Sequence, residues 1–369
     1  MISSALSMLL LLLHNDQNNT QHKYRIERMN SITNRKIRLG LVGCGRISGK
    51  HFDALEQHLE RVDVVALCDH DRARAQEAAG RFEAKVYDDL DAMLSAEDLD
   101  IVTVTTPNGL HAEHVKKIAD YGVHVLTEKP MAIDTAVGKD MIAYCAEKNV
   151  RLFVVYQNRF NDTVQAVRHA LEQGRFGQIY MITSNVFWTR PQDYYDKEGA
   201  WHGTKDMDGG AFFTQASHYV DLMQWLAGAR PKNVSAIVRT LARDIETEDS
   251  GIAHIEWENG VLGAINMTML TYPKNLEGSV TILGEKGTVR IGGVAMNSIE
   301  HWDFAEDMAH DESIRNANYD TASVYGHGHV RYYENMFDAL QGKCDPLVDG
   351  AEGYKSVDLI ERILKSSAA

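Results

Sequence analysis

The chain has 369 residues, 44% apolar and 24% charged, enough for a sizeable core and, at roughly 150 residues per domain, for two domains. Asp and Glu number 52 against 38 Lys and Arg, a formal net charge of −14, which argues against broad nucleic-acid or anionic-membrane binding because both need a basic face. Cys44, Cys68, Cys145 and Cys344 lie far apart without CxxC spacing, so reduced thiols in a cytoplasmic setting are expected rather than a disulfide framework.

Residues 5–13 (ALSMLLLLL) are apolar but too short to span a membrane, and neither a basic run nor a cleavage site flanks them. Residues 1–35 are therefore expected to be a disordered extension, with Met29 a candidate working start. From residue 36 apolar strands alternate with helical runs. Strands are expected at 37–43, 62–69, 100–107, 124–126 and 151–156, with helices at 46–59, 72–82, to about 121, and 134–149, the last capped by Asp134. Near-continuous apolar strands alternating with helices predict a parallel sheet covered on both faces, a doubly wound domain over 36–156. In such folds ligands sit at the carboxyl ends of the strands.

Gly43-x-Gly45-x-x-Ser48 closes the first strand and opens a helix, and Asp69 ends the second strand 26 residues after Gly43. The first glycine allows a tight turn and the second a close backbone approach to a pyrophosphate, while the helix start, with Arg46 and Ile47, supplies N–H donors and positive dipole. Asp69 suits the ribose hydroxyls and repels a 2′-phosphate, so NAD is expected over NADP, although Arg72 and Arg74 follow closely. TTPNGLH (105–111) ends another strand on the same edge, where Thr106, Asn108 and His111 are candidate cofactor contacts. In HVLTEKPMA (124–132), Glu128 and Lys129 stand before Pro130, which ends the strand and fixes the lysine at its tip.

After Gln157, a helix at 163–173 stops at Gly174, and strands then dominate. Asn259-Gly260 and the GEKG stretch (284–287) read as hairpin turns, predicting an open, largely antiparallel sheet over 157–369 and an α+β class for this domain. One helix, 209–228, interrupts it. On that helix Thr214, His218 and Leu222 are expected to share a face, with Asp221 placed to orient the His218 ring. His327-Gly-His329 is the nearest approach to metal-ligand spacing and lacks a third ligand, so no metal is expected.

GLVGCGRIS, Asp69, TTPNGLH, TEKPMA and GGAFFTQASHYVDL together resemble the glucose–fructose oxidoreductase/inositol dehydrogenase (Gfo/Idh/MocA) family over nearly all of 36–366. The resemblance implies a Rossmann domain followed by a substrate-binding and oligomerisation domain, with Lys129 and His218 at the reacting carbon and further contacts from Gln157, Arg159, Thr214 and Gln215. It also implies a homo-oligomer, dimer or tetramer. Many members carry an aspartate four residues before the histidine, where this chain has Thr214. YQNRFNDTVQA, TQASHYVDLMQWL, TYPKNLEGSVTILGEKGTVRIGG and VYGHGHVRYYENMFDAL are most similar to the branch that oxidises a UDP-linked 2-acetamido uronic acid, a nucleotide sugar, at C3 in surface-polysaccharide biosynthesis. Some relatives reoxidise NADH with 2-oxoglutarate. An inositol or hexose dehydrogenase is the same-class rival, and a non-catalytic NAD-binding regulator the rival from another class. Arg159, Arg190, Lys205 and Lys274 are the candidate local cations for so anionic a substrate.

Overall fold

The computed structural model describes residues 31–197, 201–293, 295–319 and 326–368. The first sheet contains β1 (Ile37–Val42), β2 (Val62–Cys68), β3 (Lys85–Tyr87), β4 (Ile101–Val104), β5 (His124–Thr127) and β6 (Leu152–Val154), all parallel, in the order β3-β2-β1-β4-β5-β6. The order reverses between β1 and β4, the crevice where a doubly wound sheet binds its ligand. Helices α1 (Ser48–Leu55), α2 (Arg72–Ala79), α3 (Leu90–Ala96), α4 (His111–Asp120) and α5 (Thr135–Glu147) connect the strands. β4 and β5 are buried at every position, as strands covered on both faces must be. Asp134 caps α5, accepting the Ala136 and Val137 N–H groups at 2.7 and 3.0 Å. β3 and α3 were not anticipated, because three residues of KVY carry too little pattern.

α6 (Asp162–Glu172) leads into the second domain, with β7 (Ile179–Phe187), α7 (Gln192–Tyr195), α8 (Ala211–Thr214) and α9 (Ser217–Ala227). The rest of its sheet is β8 (Pro231–Arg239), β9 (Ser250–Trp257), β10 (Leu262–Thr268), β11 (Glu277–Gly284), β12 (Gly287–Gly292) and β13 (Ser298–Phe304). The order is β13-β12-β11-β7-β10-β9-β8, with every pair antiparallel except β7 with β10. Both expected hairpins form, Gly260 taking φ +85°. α9 is buried on nearly all sides under the inner face of this sheet. The outer face leaves Ile237, Ile252 and Leu262 exposed.

Three expectations change. Helix 209–228 is two helices: the Ala216 N–H reaches back to the Ala211 carbonyl, and the chain restarts at Ser217. The packing is not divided at residue 156, since α10 (Asp311–Arg315) is followed by α11 (Gly328–Leu340), which packs on α1, and α12 (Gly350–Ala368), which touches β6, α5 and β8. Residues 31–35, expected in the extension, join the fold: Ile32 is buried and its N–H donates to the Leu340 carbonyl at 3.0 Å, and Arg35 forks onto Asp100. The leucine run and Met29 lie outside the described residues. No helix among the described residues is long and apolar enough to cross a membrane.

Candidate active site

Gly43 sits at φ +96°, and a Cβ there would lie 2.7 Å from the Thr105 main chain at the end of β4, so only glycine lets the two strand ends close up. At Gly45 an added Cβ meets nothing within 4 Å, leaving open space before the start of α1. Asp69 clamps this loop: it accepts the Cys44 N–H at 2.6 Å and the Asp71 N–H at 2.8 Å. A carboxylate has about four acceptor sites, so lone pairs remain for ribose hydroxyls. Arg72 lies 3.6 Å from Asp88 and Arg74 3.2 Å from Asp71, so both have acids of their own.

Lys129 leaves the tip of β5 and donates from Nζ to the Thr214 carbonyl at 2.7 Å, joining the two domains. Its proton affinity is lowered first by burial and further by the charges of Arg46 and Arg190, against the opposing pull of Glu128 and Asp208. Glu128 accepts from the Lys129 N–H at 3.0 Å and pairs with His51 Nε2 at 2.9 Å, while the Tyr333 hydroxyl meets His51 Nδ1 at 2.8 Å. Burial opposes ionisation of Glu128, but the His51 hydrogen bond and the charges of His51 and Lys129 outweigh it and hold its carboxyl down at about 2. His329 joins this group, its ligand atom, with those of His51 and Glu128, falling within 4.8 Å of one another. The His51–Glu128 contact and the Tyr333 hydroxyl already commit both His51 nitrogens, so the cluster is a hydrogen-bonded brace behind Lys129.

His218 is the second residue of α9, 7% exposed, with the Gln157 amide 3.3 Å from Nε2 and the Tyr156 ring edge-on at 5.7 Å. Burial first, and then the Lys129 charge, push its pKa well below the ordinary histidine value, so the ring is neutral at pH 7 and able to take a proton. Its Nδ1 and the Gln157 and Asn158 side-chain oxygens are buried without partners among the described residues. Such orphaned groups at a strand end are what a bound cofactor and substrate would satisfy.

Other assignments fail on geometry. Asp221 does not orient His218; it takes a two-pronged bond from Arg159 at 2.7 and 2.8 Å and the Ser356 hydroxyl at 3.0 Å. Arg159 is accordingly no substrate cation, being 1% exposed and also bound to Glu352 at 3.1 Å. The Thr214 side chain does not share a face with His218: the helix break turns its hydroxyl to Asp208, and it accepts the Asn108 amide at 3.0 Å. Its contribution is the carbonyl under Lys129. His111 directs both ring nitrogens at carbonyls, Pro130 and Thr106, at 2.8 Å each, bracing two loops rather than offering a bond to a cofactor. The Asn108 amide also donates to the Asp208 carbonyl at 2.9 Å, and the Thr106 hydroxyl meets His114 at 3.0 Å. Lys205 and Lys274 are exposed surface charges. Gln215, 8% exposed, accepts from Arg190 at 3.0 Å and donates to the Tyr194 hydroxyl at 3.2 Å.

Sequence reasoning missed His51, Asp208 and Tyr194. His51 lies three residues after Ser48, one helical turn into α1, a spacing that points back at the strand ends; Asp208 lies in an irregular segment and Tyr194 in the four-residue α7, too short to carry a periodic signal.

Residues 37–156 match the model of an oxidoreductase family's NAD-binding Rossmann fold (GFO_IDH_MocA), and residues 168–369 match that family's C-terminal alpha/beta domain. Among solved structures, the chain is 53% identical to the WlbA dehydrogenase from Bordetella pertussis in complex with NADH and UDP-GlcNAcA, covering 91% of this chain and 97% of that one, with a TM-score of 0.87. It is 49% identical to the WlbA dehydrogenase from Chromobacterium violaceum in complex with the same two molecules, covering 92% and 95%, with a TM-score of 0.86. An inositol 2-dehydrogenase from Rhizobium meliloti is 28% identical over 342 residues, 90% of this chain and 97% of the relative.

Proposed function

The chain belongs to the Gfo/Idh/MocA oxidoreductase family, and from that membership we propose that it oxidises the C3 hydroxyl of UDP-N-acetyl-2-amino-2-deoxy-D-glucuronate to the 3-keto sugar with NAD. The observation that carries the reading is Lys129 and His218, both buried and from two domains, near enough for the lysine charge to lower the histidine's proton affinity, in a chain about half identical, over more than nine-tenths of its length, to dehydrogenases holding NADH and this sugar.

The open space at Gly45, the start of α1 and the Asp69 carboxylate fit a dinucleotide, and Gly43, Gly45, Arg46, Ile47 and Asp69 would hold it. When bound, NAD supplies the acceptor for the hydride leaving C3. The protein handles the other half of the oxidation. Neutral His218 accepts the hydroxyl proton; its depressed proton affinity keeps the ring unprotonated and available at neutral pH. The Lys129 ammonium donates to the oxygen as negative charge grows there, held in place by the Thr214 carbonyl and by the Glu128–His51 brace. Binding energy from the remote nucleotide keeps C3 between the two groups.

We assign the protein to the cytoplasm and to surface-polysaccharide biosynthesis. Its described cysteines are all free thiols, and nucleotide sugars of this kind are the donors such polymers require. A homo-oligomer through the outer face of the second sheet accounts for exposed Ile237, Ile252 and Leu262, and light scattering on the purified protein tests it. The substrate is tested with UDP-N-acetylglucosaminuronate, UDP-N-acetylglucosamine, inositol and glucose, each with NAD and 2-oxoglutarate so that tightly held NADH turns over. Loss of two hydrogens by mass from the acidic UDP-sugar is the expected result. Oxidation of inositol or glucose with the UDP-sugar untouched would overturn it.

A further inference from the structure

Arg190 follows β7 and lies within the second domain's wall of the site. Its Nη1 donates to the Thr189 carbonyl at 2.7 Å and its Nη2 to the Gln215 side-chain oxygen at 3.0 Å, both neutral acceptors. The guanidinium carbon sits 5.1 Å from the Trp188 ring centre and 5.5 Å from that of Tyr194, so two aromatic rings fix its position. Gln215 directly follows Thr214, whose carbonyl holds the Lys129 ammonium, which puts Arg190 one residue away from the catalytic anchor. The positive charge of Arg190 is felt at Lys129.

The fully buried arginines of this domain are neutralised. Arg159 has Asp221 and Glu352, and Arg175 has Asp311 at 2.7 Å. Arg190 is half-buried, and among the described residues no carboxylate pairs with it. A cation withdrawn from water beside a second cation is costly unless an anion completes the site. A fixed, planar guanidinium matches a two-oxygen anion of similar flatness.

We propose that Arg190 is a specificity-determining residue that recognises the carboxylate of the sugar acid, the group absent from the corresponding neutral UDP-sugar. This assignment rests on the substrate reading above. The diphosphate offers the same anionic chemistry, so the test separates the two. Calorimetry on the enzyme–NADH complex measures binding of UDP-N-acetylglucosaminuronate, UDP-N-acetylglucosamine and UDP to wild type, Arg190→Gln and Arg190→Lys. Arg190→Gln is expected to weaken the acid sugar about 30-fold, the scale of one lost charge-assisted pair, and to leave UDP and the neutral sugar within about twofold. Arg190→Lys should recover part of the loss, with NADH affinity and melting temperature unchanged throughout. Equal weakening of all three ligands would assign Arg190 to the diphosphate, and unchanged affinity for the acid would remove its role; either overturns the proposal. A wild type that binds none of the UDP ligands brings down the substrate reading and this assignment together, an outcome distinct from failure of Arg190 alone.

Discussion

The turns at Gly43–Ser48 and Gly209–His218 are built alike: glycine at positive φ, a short approach, then a helix start. They differ in what holds them. An added Cβ at Gly43 strikes the backbone at the end of β4, and the loop is pinned by Asp69 at the end of β2, so its neighbours are set by strand order alone. Added Cβ atoms at Gly209 and Gly210 strike the Ile133 and Glu248 side chains, and Glu248 takes the Phe212 N–H at 2.8 Å. Those partners come from separate elements of both domains. The first turn is specified by local sequence plus one topological rule, the second by tertiary contacts. Lys129 is where they meet, and losing it tests both at once. Lys129→Met should reduce single-turnover hydride transfer about 10³-fold, the scale of removing a donor to a developing oxyanion. NADH binding by fluorescence should persist. Near-normal turnover would mean that the two turns converge on some other group.

Asp221→Asn separates tertiary from local specification most directly. Chain spacing makes Asp221 a partner for His218, whereas the fold gives it to Arg159. Loss of charge from a buried pair should cost about 3 kcal/mol of stability, read from denaturant melts, with the acid limb of the pH–rate profile unmoved. A shifted limb with intact stability would restore the local reading.

What the sequence made legible follows the same division. The alternation of strands and helices, the glycine loop, Asp69, the β5 tip and the hairpin at Asn259-Gly260 were readable because each follows from periodicity or from one residue's backbone freedom. Lys129 and His218 were singled out through motif resemblance, and the structure gives the surroundings that set their charge. The roles expected of Arg159, Asp221, Thr214 and His111 were misread because each is a polar residue whose partner is chosen by packing. No pattern along the chain announces that Asp208 takes the Thr214 hydroxyl, or that helix 209–228 breaks at Ala216.

Buried histidines extend the comparison to pH. His124, at the start of β5, accepts the Arg151 N–H through Nδ1 at 3.0 Å, which requires an unprotonated nitrogen. Burial, then the Arg151 charge, depress its pKa from 6.5 to about 4. The unfolded chain therefore binds this proton first: the stability is fully present above about pH 6.5 and is lost as pH falls toward 4. At pH 5 the loss from this one site is about 2 kcal/mol. His124→Asn keeps an acceptor for Arg151 without a titrating ring, so its melting temperature should fall less than the wild type's between pH 7 and pH 5. Parallel curves would show that the acid sensitivity lies elsewhere, with His218 and His329 the next groups to replace.

Asp69→Ala carries the smallest expected effect and the sharpest distinction within the locally specified region. Sequence reasoning makes Asp69 a selector of NAD; the structure shows it also clamping the glycine loop through Cys44. If selection alone mattered, NADP affinity would rise as NAD affinity fell, because like-charge repulsion of the 2′-phosphate disappears. The clamp changes that expectation. Without it the loop loses an acceptor for a buried N–H, and both dinucleotides should bind more weakly. Arg72 and Arg74 already face Asp88 and Asp71, so neither cation is placed to rescue the phosphate at no cost. The preference for NAD should therefore narrow about tenfold without reversing, close to 1.4 kcal/mol, with absolute NADH affinity also reduced. Calorimetric titration of both reduced dinucleotides against wild type and variant measures the two effects separately. A reversed preference would show Asp69 to be a selector only, and an unchanged ratio with weaker binding would show it to be a clamp only.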